Sequence, residues 1–211
     1  VHGQVIVSKK GGNDMRDIIT ITRQFGSLGR PIAKEVATRL NMKYYDRDII
    51  DIAARNMGMN VDELLEFEGK KLTAYDKMLY PLGYGDAAMK DRVYKMEKSV
   101  ILELATNNKC VFVGRGVDYL LNDVSRVLNV YVFAPYEERL KNCIDSLHMT
   151  EAEAKKYIKG VDKARLEFYK TYCGSDYTET RCRHLLIDSA ALGEELTIET
   201  ICNVAKSKLD V

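Results

Sequence analysis

The chain has 211 residues, of which 46% are hydrophobic and only three are proline, so it can bury a sizeable core within a single domain. Its formal net charge of +1 argues against a general nucleic-acid-binding surface. The sequence has no run of about 18 apolar residues and does not start with a basic segment followed by an apolar one. We therefore expect no membrane span and no signal peptide, and we predict a cytoplasmic location.

The first predicted elements are a strand, a glycine-containing loop and a helix. The strand Ile18–Thr22 runs into this loop, and a helix of apolar period 3.6 begins near Arg30. Gly26 and Gly29 can adopt positive φ, which lets successive N–H groups turn towards an anion. The start of the helix adds free N–H donors and the positive end of its dipole, and Pro31 suits a first-turn position. The segment therefore predicts a phosphate-binding loop.

The loop departs from the standard P-loop pattern G-x-x-x-x-G-K-S/T. That pattern would need Gly, Lys and a hydroxyl residue where this chain has Gln24, Arg30 and Pro31. Arg30 still supplies a cation. The missing hydroxyl leaves Mg²⁺ to water, substrate phosphates or a carboxylate. An ordinary strand-to-helix turn that needs glycine for close packing remains an alternative for this segment alone.

The rest of the chain continues the alternation of strands and helices. Strands are predicted at 43–46, 110–113, 127–133 and 185–188, and helices at 48–57, at about 86–106, after each of the 110–113 and 127–133 strands, around 157–168 and around 198–204. This order predicts a mainly parallel sheet with helices on both faces, which is an α/β fold. The five cysteines are odd in number and form no C-x-x-C pair, so we expect reduced and mostly buried thiols.

Polar residues follow several of these strands, at the sheet edge where ligands collect in such folds. Asp46 follows the second strand, Gly114-Arg115-Gly116 the third, and Arg139 stands one turn into the helix after the fourth. Each has a plain alternative: Asp46 could cap a helix, Arg115 could pair with a nearby acid, and Arg139 could be solvated.

One later helix is rich in lysine and carries a further pair of charges. Asp162 and Arg165, at positions i and i+3, share a face and can present an acid and a guanidinium together. We interpret the lysines around them as a solvated face and the pair as functional.

Taken in order, these segments resemble the cytidylate kinase-like family, a branch of the P-loop nucleoside monophosphate kinases. The resemblance covers about residues 16–209 and is carried by ITITRQFGSLGR, YYD, VFVGRG, FAPYEER and the 162–169 segment. It implies a three-layer P-loop kinase fold with a mainly parallel five-stranded sheet. It also implies one domain at 15–211, with a helical arm for the nucleoside monophosphate at 58–109 and a helical lid at 146–174. Residues 1–14, which contain a KKGGND stretch, are predicted to form a tail.

The activity that the resemblance implies is transfer of the γ-phosphoryl group of ATP to CMP, dCMP or a similar small acceptor. ATP, Mg²⁺ and small-molecule nucleotides are the implied ligands. On this basis the donor would be held by Arg23, Gly26, Ser27, Leu28, Gly29, Arg30, Pro31 and Arg139. The acceptor would be held by Asp46, Arg115, Asp162 and Arg165, and the catalytic residues would be Arg30, Arg115, Asp162 and Arg165.

Two departures from the family pattern leave other functions open. Gly116 replaces the acid of a Gly-Arg-Asp motif, and Ile158 and Lys159 replace the first half of an Arg-Asp-x-x-Asp-x-x-Arg lid motif. One alternative is a nucleotide-binding regulatory protein with little or no turnover, and another is a kinase for a different small acceptor. Residues 75–84 contain several apolar and aromatic residues that fit a partner surface, but they fit a packed insertion at least as well, so the oligomeric state stays open.

Overall fold

The computed structural model describes residues 15–46, 48–56, 58 and 87–211. The predicted tail at 1–14 and the 75–84 segment lie outside these residues. In chain order the strands are β1 Ile18–Arg23, β2 Lys43–Tyr45, β3 Cys110–Val113, β4 Val127–Phe133 and β5 Leu185–Asp188. The helices are α1 Gly29–Arg39, α2 Asp48–Asn56, α3 Ala87–Asn107, α4 Val117–Leu120, α5 Tyr136–Asp145, α6 Glu151–Tyr172 and α7 Ser189–Lys208.

The five described strands form one sheet in the order β2-β3-β1-β4-β5, and every pairing between them is parallel. β1 lies at the centre, where Ile19 pairs with Val111 of β3 and with Leu128 of β4. The predicted α/β class and parallel sheet are therefore confirmed. The helix expected after β3 is only the single turn α4, because the chain leaves that strand through three consecutive residues of positive φ.

Both faces of the sheet are covered, which explains why β1 reads as a nearly continuous apolar run. Ile19 and Ile21 point into a core formed with α1 and α7. Ile18 points to the opposite face, into a core formed with α2 and α3. The alternation of side chains along β1 thus places successive isoleucines in two different cores.

α6 lies against the end of β1 and the following loop. A reciprocal capping box of Thr150 and Glu153 starts this helix. Its buried face carries Ile158, Val161 and Phe168 together with the charged Arg165. A helix that buries a guanidinium needs polar partners for it, and these partners lie at the carboxyl edge of the sheet.

All five cysteines are free thiols, and four of them are buried. Among the described residues, no helix has the length and apolar character needed to cross a membrane.

Candidate active site

The loop between β1 and α1 leaves backbone N–H groups open to a ligand. Gly26 and Leu28 have φ of 81° and 58°, and Leu28 stands at the N-cap of α1 without a side-chain hydrogen bond to the helix. Within the described part of the chain, no hydrogen bond engages the N–H groups of Gly26, Ser27 and Leu28. An uncapped helix N-terminus preceded by free amides is suited to bind an anion.

This loop forms one wall of a cavity of about 580 Å³. The residues around the cavity come from the end of β1, the loop and the start of α1, from the segments after β2 and β3, from α5 and the α5–α6 connection, from α6 and from α7. They are Arg23, Gln24, Phe25, Gly26, Leu28, Gly29, Arg30, Pro31, Asp46, Arg115, Asn142, Ser146, Leu147, Met149, Val161, Arg165 and Glu194. Nine of the predicted site residues are thus brought together at one edge of the sheet. Ser27, Arg139 and Asp162 are not among the residues that line the cavity.

Ser27 is buried behind the loop, and its hydroxyl is used within the protein. Its Oγ donates to the carbonyl oxygens of Gln24 at 3.0 Å and Val132 at 3.1 Å. The Ser189 hydroxyl donates to the carbonyl oxygen of Ser27 at 2.8 Å. The side chain of Ser27 therefore fixes the loop against β4, and its backbone carbonyl oxygen is held by α7. Only its backbone N–H remains for a ligand.

Gly26 is required by a close backbone approach. A Cβ atom at this position would lie 2.6 Å from the carbonyl oxygen of Arg139 and 3.0 Å from Sγ of Cys143. Asn142, on the same helix, donates from Nδ2 to the carbonyl oxygen of Gly26 at 2.9 Å. The loop is therefore packed directly on α5.

Asp162 links α6 to the loop. Its Oδ1 accepts a hydrogen bond from the Phe25 N–H at 2.9 Å, and its Oδ2 lies 2.6 Å from Nη1 of Arg139. Arg165 is 3.4 Å from Oδ1, so the two residues at i and i+3 do meet on one face. Arg139 also donates to the carbonyl oxygen of Phe25 at 3.2 Å. In this arrangement Asp162 and Arg139 hold the loop, and their predicted contacts with nucleotides remain predictions.

Four arginines converge on the cavity with one carboxylate between two of them. Asp46 Oδ2 lies 2.6 Å from Nε of Arg30, and its Oδ1 lies 3.7 Å from Nη2 of Arg23. Burial alone would raise the pKa of Asp46, but the charges of Arg23, Arg30 and Arg115 outweigh it and lower that pKa. Asp46 is therefore ionised, and the wall around it stays positive.

Arg165 reaches the same wall from α6. Its Nη1 donates to the carbonyl oxygen of Arg23 at 2.8 Å, and the side chain is largely buried. Burial lowers the pKa of Arg165, while Asp162 acts in the opposite direction. A guanidinium that is removed from water and only partly paired binds an incoming anion strongly.

Arg115 pairs with a buried acid, as one alternative from the sequence allowed, but the sequence did not identify that acid as Glu97. Its Nη1 lies 3.0 Å from Oε1 of Glu97 on α3, and both side chains are almost fully buried. Burial raises the pKa of Glu97, and the charge of Arg115 partly offsets this. The available signal was an acid on the apolar face of α3, one turn before Ile101. Arg115 itself has φ of 62° between two glycines of positive φ.

The described residues do not build a Mg²⁺ site. Pro31 has no hydroxyl, the Ser27 hydroxyl donates to carbonyl oxygens, and Asp46 is bound to arginine. No group of three His, Cys, Asp or Glu side chains in the described part of the chain could hold a metal ion.

A parallel sheet of order β2-β3-β1-β4-β5, with a glycine loop leading from its central strand into a helix, is the architecture of the P-loop kinases. A solved structure of an uncharacterized protein from Eubacterium ventriosum superposes with a TM-score of 0.69 at 19% identity, over 91% of this chain and 99% of that one. TT1252 from Thermus thermophilus gives 0.58 at 15% identity, over 92% and 98%. Shikimate kinase from Bacteroides thetaiotaomicron gives 0.53 at 14% identity, over 90% and 98%. At these identities the similarity concerns the fold.

The sequence profile of the cytidylate kinase-like family matches residues 18–191. The chain therefore belongs to the cytidylate kinase-like family, and it is a kinase-like protein with a P-loop kinase fold. No curated protein sequence matches it.

Proposed function

We propose that this protein is an ATP-dependent phosphotransferase that moves the γ-phosphoryl group of ATP to a small phosphorylated acceptor. Family membership suggests CMP or dCMP as that acceptor. The observation that carries the proposal is the meeting of the uncapped α1 N-terminus with arginines from three other elements in one cavity. One wall fits a polyphosphate donor, and the opposite wall fits a second anion.

The donor side is the loop itself. Free N–H groups at Gly26, Ser27 and Leu28 and the positive end of the α1 dipole would hold the phosphates of ATP. Arg30, at the start of α1, adds a positive charge, and its side chain is 40% exposed and thus accessible from the cavity. This side needs no side-chain hydroxyl for phosphate binding.

The acceptor side is formed by Arg115 and Arg165. Their guanidinium groups are held by Glu97 and by the carbonyl oxygen of Arg23, so they are fixed before a ligand arrives. Fixed guanidinium groups bind phosphate or carboxylate with two parallel hydrogen bonds. A cavity of about 580 Å³ is within the usual range for small-molecule sites, about 300 to 1,000 Å³.

The chemical step places few demands on protein side chains. The bond between the γ-phosphorus and the bridging β–γ oxygen breaks, and a new bond forms to an oxygen of the acceptor phosphate, which gives ADP and a nucleoside diphosphate. Catalysis of such a transfer depends on alignment and on positive charge around the moving group. Closure of residues 146–174 over the cavity would exclude water as a competing acceptor.

A binding protein with little or no turnover is a second candidate, favoured by how the loop is engaged. The N–H of Phe25 is used by Asp162, and Nε of Arg30 lies against Asp46. A loop that is tied down in this way can bind a nucleotide without supporting fast transfer.

The deciding experiment is a coupled assay for ADP with purified protein, Mg²⁺·ATP and each nucleoside monophosphate in turn, followed by a panel of other small anionic acceptors. Turnover with any acceptor supports the phosphotransferase. ATP binding without turnover across the panel supports the binding protein, and absence of both contradicts both. Arg30→Ala should weaken ATP binding. Arg39→Ala serves as the control, because Arg39 lies on the same helix but pairs with Glu35 and Glu195 outside the cavity.

A further inference from the structure

Arg23 is enclosed between the two glycine-containing loops of the site. A Cβ atom on Gly29 would lie 2.6 Å from Cβ of Arg23 and 2.9 Å from its Cγ. A Cβ atom on Gly114 would overlap Nη1 of the same side chain. Glycine at positions 29 and 114 therefore leaves the space in which the Arg23 side chain runs from the donor side to the acceptor side.

The charge of Arg23 is poorly compensated by its neighbours. Among the described residues, the one carboxylate paired with it is Asp46 at 3.7 Å, which is beyond a normal hydrogen bond and is shared with Arg30. The Nε atom of Arg23, like that of Arg30, is buried and makes no hydrogen bond of acceptable geometry within the described part of the chain. Burial, and then the charge of Arg165, hold the pKa of Arg23 well below its usual value, although Asp46 raises it.

The position that carries the P-loop lysine is occupied differently. Arg30 follows the last loop glycine, but its Nε lies 2.6 Å from Oδ2 of Asp46 and its side chain is 40% exposed, against 11% for Arg23. A cation interacts more strongly with a developing charge where water is excluded. Of these two arginines, Arg23 is the one better suited to act on a group in transfer.

We propose that Arg23 is a catalytic residue whose guanidinium contacts the phosphoryl group during its transfer, in place of the lysine of a standard P-loop. This inference rests on the proposed phosphotransferase function and assigns the residue that stabilises its transition state. Arg23 donates N–H hydrogen bonds to the oxygens of the moving group and neither gains nor loses a proton in the step. The bond from the γ-phosphorus to ADP breaks as the bond to the acceptor oxygen forms.

The test compares kcat and ATP affinity in Arg23→Gln and Arg23→Lys. Loss of one fixed donor to a transition state lowers kcat by about 100- to 1,000-fold. We expect this loss in Arg23→Gln, with a change of less than about tenfold in the Kd for ATP by titration calorimetry, since most ground-state contacts remain. Arg23→Lys keeps the charge and loses the planar guanidinium, so its kcat should lie between those of the wild type and Arg23→Gln. Millimolar guanidinium chloride should restore part of the kcat of Arg23→Ala.

Two glycine variants test the same point without changing Arg23. Gly114→Ala should displace the guanidinium of Arg23 and, like Arg23→Gln, lower kcat. Gly193→Ala is the matched control, because Gly193 also has positive φ but has nothing within 4 Å of its added Cβ, and it lies outside the proposed lid. It should keep kcat within about twofold of wild type, as expected for a strained but open position.

The outcomes separate this inference from the proposed function. A wild-type protein without turnover overturns both. Turnover in the wild type together with undiminished kcat in a folded Arg23→Gln variant overturns this inference alone. If Arg23→Gln fails to fold by circular dichroism, wild-type kcat in both Arg23→Lys and Gly114→Ala overturns it instead. A drop in kcat that follows a matching drop in ATP affinity assigns Arg23 to binding and also overturns the catalytic role.

Discussion

Replacing Asp162 by alanine is expected to separate α6 from the loop that follows β1. The carboxylate accepts the Phe25 N–H at 2.9 Å and lies 2.6 Å from Arg139 and 3.4 Å from Arg165. Both arginine side chains are about nine-tenths buried. The variant therefore leaves one loop amide without its acceptor and two enclosed guanidinium groups without their carboxylate.

The expected cost follows from these contacts. Removing one partner of a buried ion pair destabilises a protein by about 3 to 5 kcal/mol. In a domain of this size each kcal/mol lowers Tm by about 2 to 4 °C, so we expect a fall of roughly 10 °C. Asp162→Asn keeps an acceptor for the Phe25 N–H but loses the charge, so its Tm should fall by a smaller amount.

Thermal unfolding followed by circular dichroism measures this effect, and amide hydrogen exchange at Phe25 reports the local contact directly. Glu167→Ala is the matched control, because Glu167 lies on the same helix in an exposed pair with Lys163 at 3.8 Å. Its loss should cost less than about 0.5 kcal/mol. A Tm of Asp162→Ala within 1 °C of the control, which is far below the expected ~10 °C, would refute the role assigned to this carboxylate.

Three further predictions concern the loop, the opposite edge of the sheet and the thiols. Gly26→Ala should lower the free energy of unfolding, measured by urea denaturation, by about 2 to 4 kcal/mol, because the new Cβ clashes with the Arg139 carbonyl oxygen and alanine disfavours positive φ. In the control Gly174→Ala the added Cβ meets open space, so the loss should be only about 1 kcal/mol. Burial alone would raise the pKa of Asp17, but Arg126, the Asp210 N–H and Lys109 lower it. The ionised Asp17 carboxylate therefore stabilises the fold fully above the unfolded pKa of about 3.9, and this stabilisation is lost as the pH falls through the lower folded pKa. Asp17→Asn should therefore be less stable than wild type at pH 7, by urea unfolding, and the gap should narrow towards about pH 3, whereas a constant gap would contradict this assignment. Burial raises the pKa of Cys110 and Cys173 to about 12, so these thiols should react slowly. An aromatic disulfide reagent should therefore titrate about one thiol in the native protein, the half-buried Cys182, and all five after unfolding. Fast reaction of several thiols in the native protein would contradict the packing.

The strand–loop–helix start of the domain could be predicted because its signals are local. The apolar run of β1, glycines 26 and 29, and the 3.6-residue period of α1 act through backbone dihedrals and burial within about twenty residues. The parallel sheet followed from the alternation of strands and helices, since parallel strands need crossover connections. Arg23, Asp46 and Arg115 then lie at one edge of the sheet, because the carboxyl ends of parallel strands all lie at the same edge.

The partners of the charged side chains were decided by tertiary packing. Asp162 and Phe25 are 137 positions apart and meet only because α6 lies against the loop, so the sequence did not predict their hydrogen bond. The nucleotide contact suggested for Asp162 stays a prediction. Glu97 of α3 and Arg115 of the segment after β3 form an ion pair, and no sequence pattern indicates that these two residues are partners. Residue spacing fixes which side chains share a face of one helix or strand. Which charges neutralise each other depends on distances of a few ångströms between elements, and those distances exist only after the core has packed.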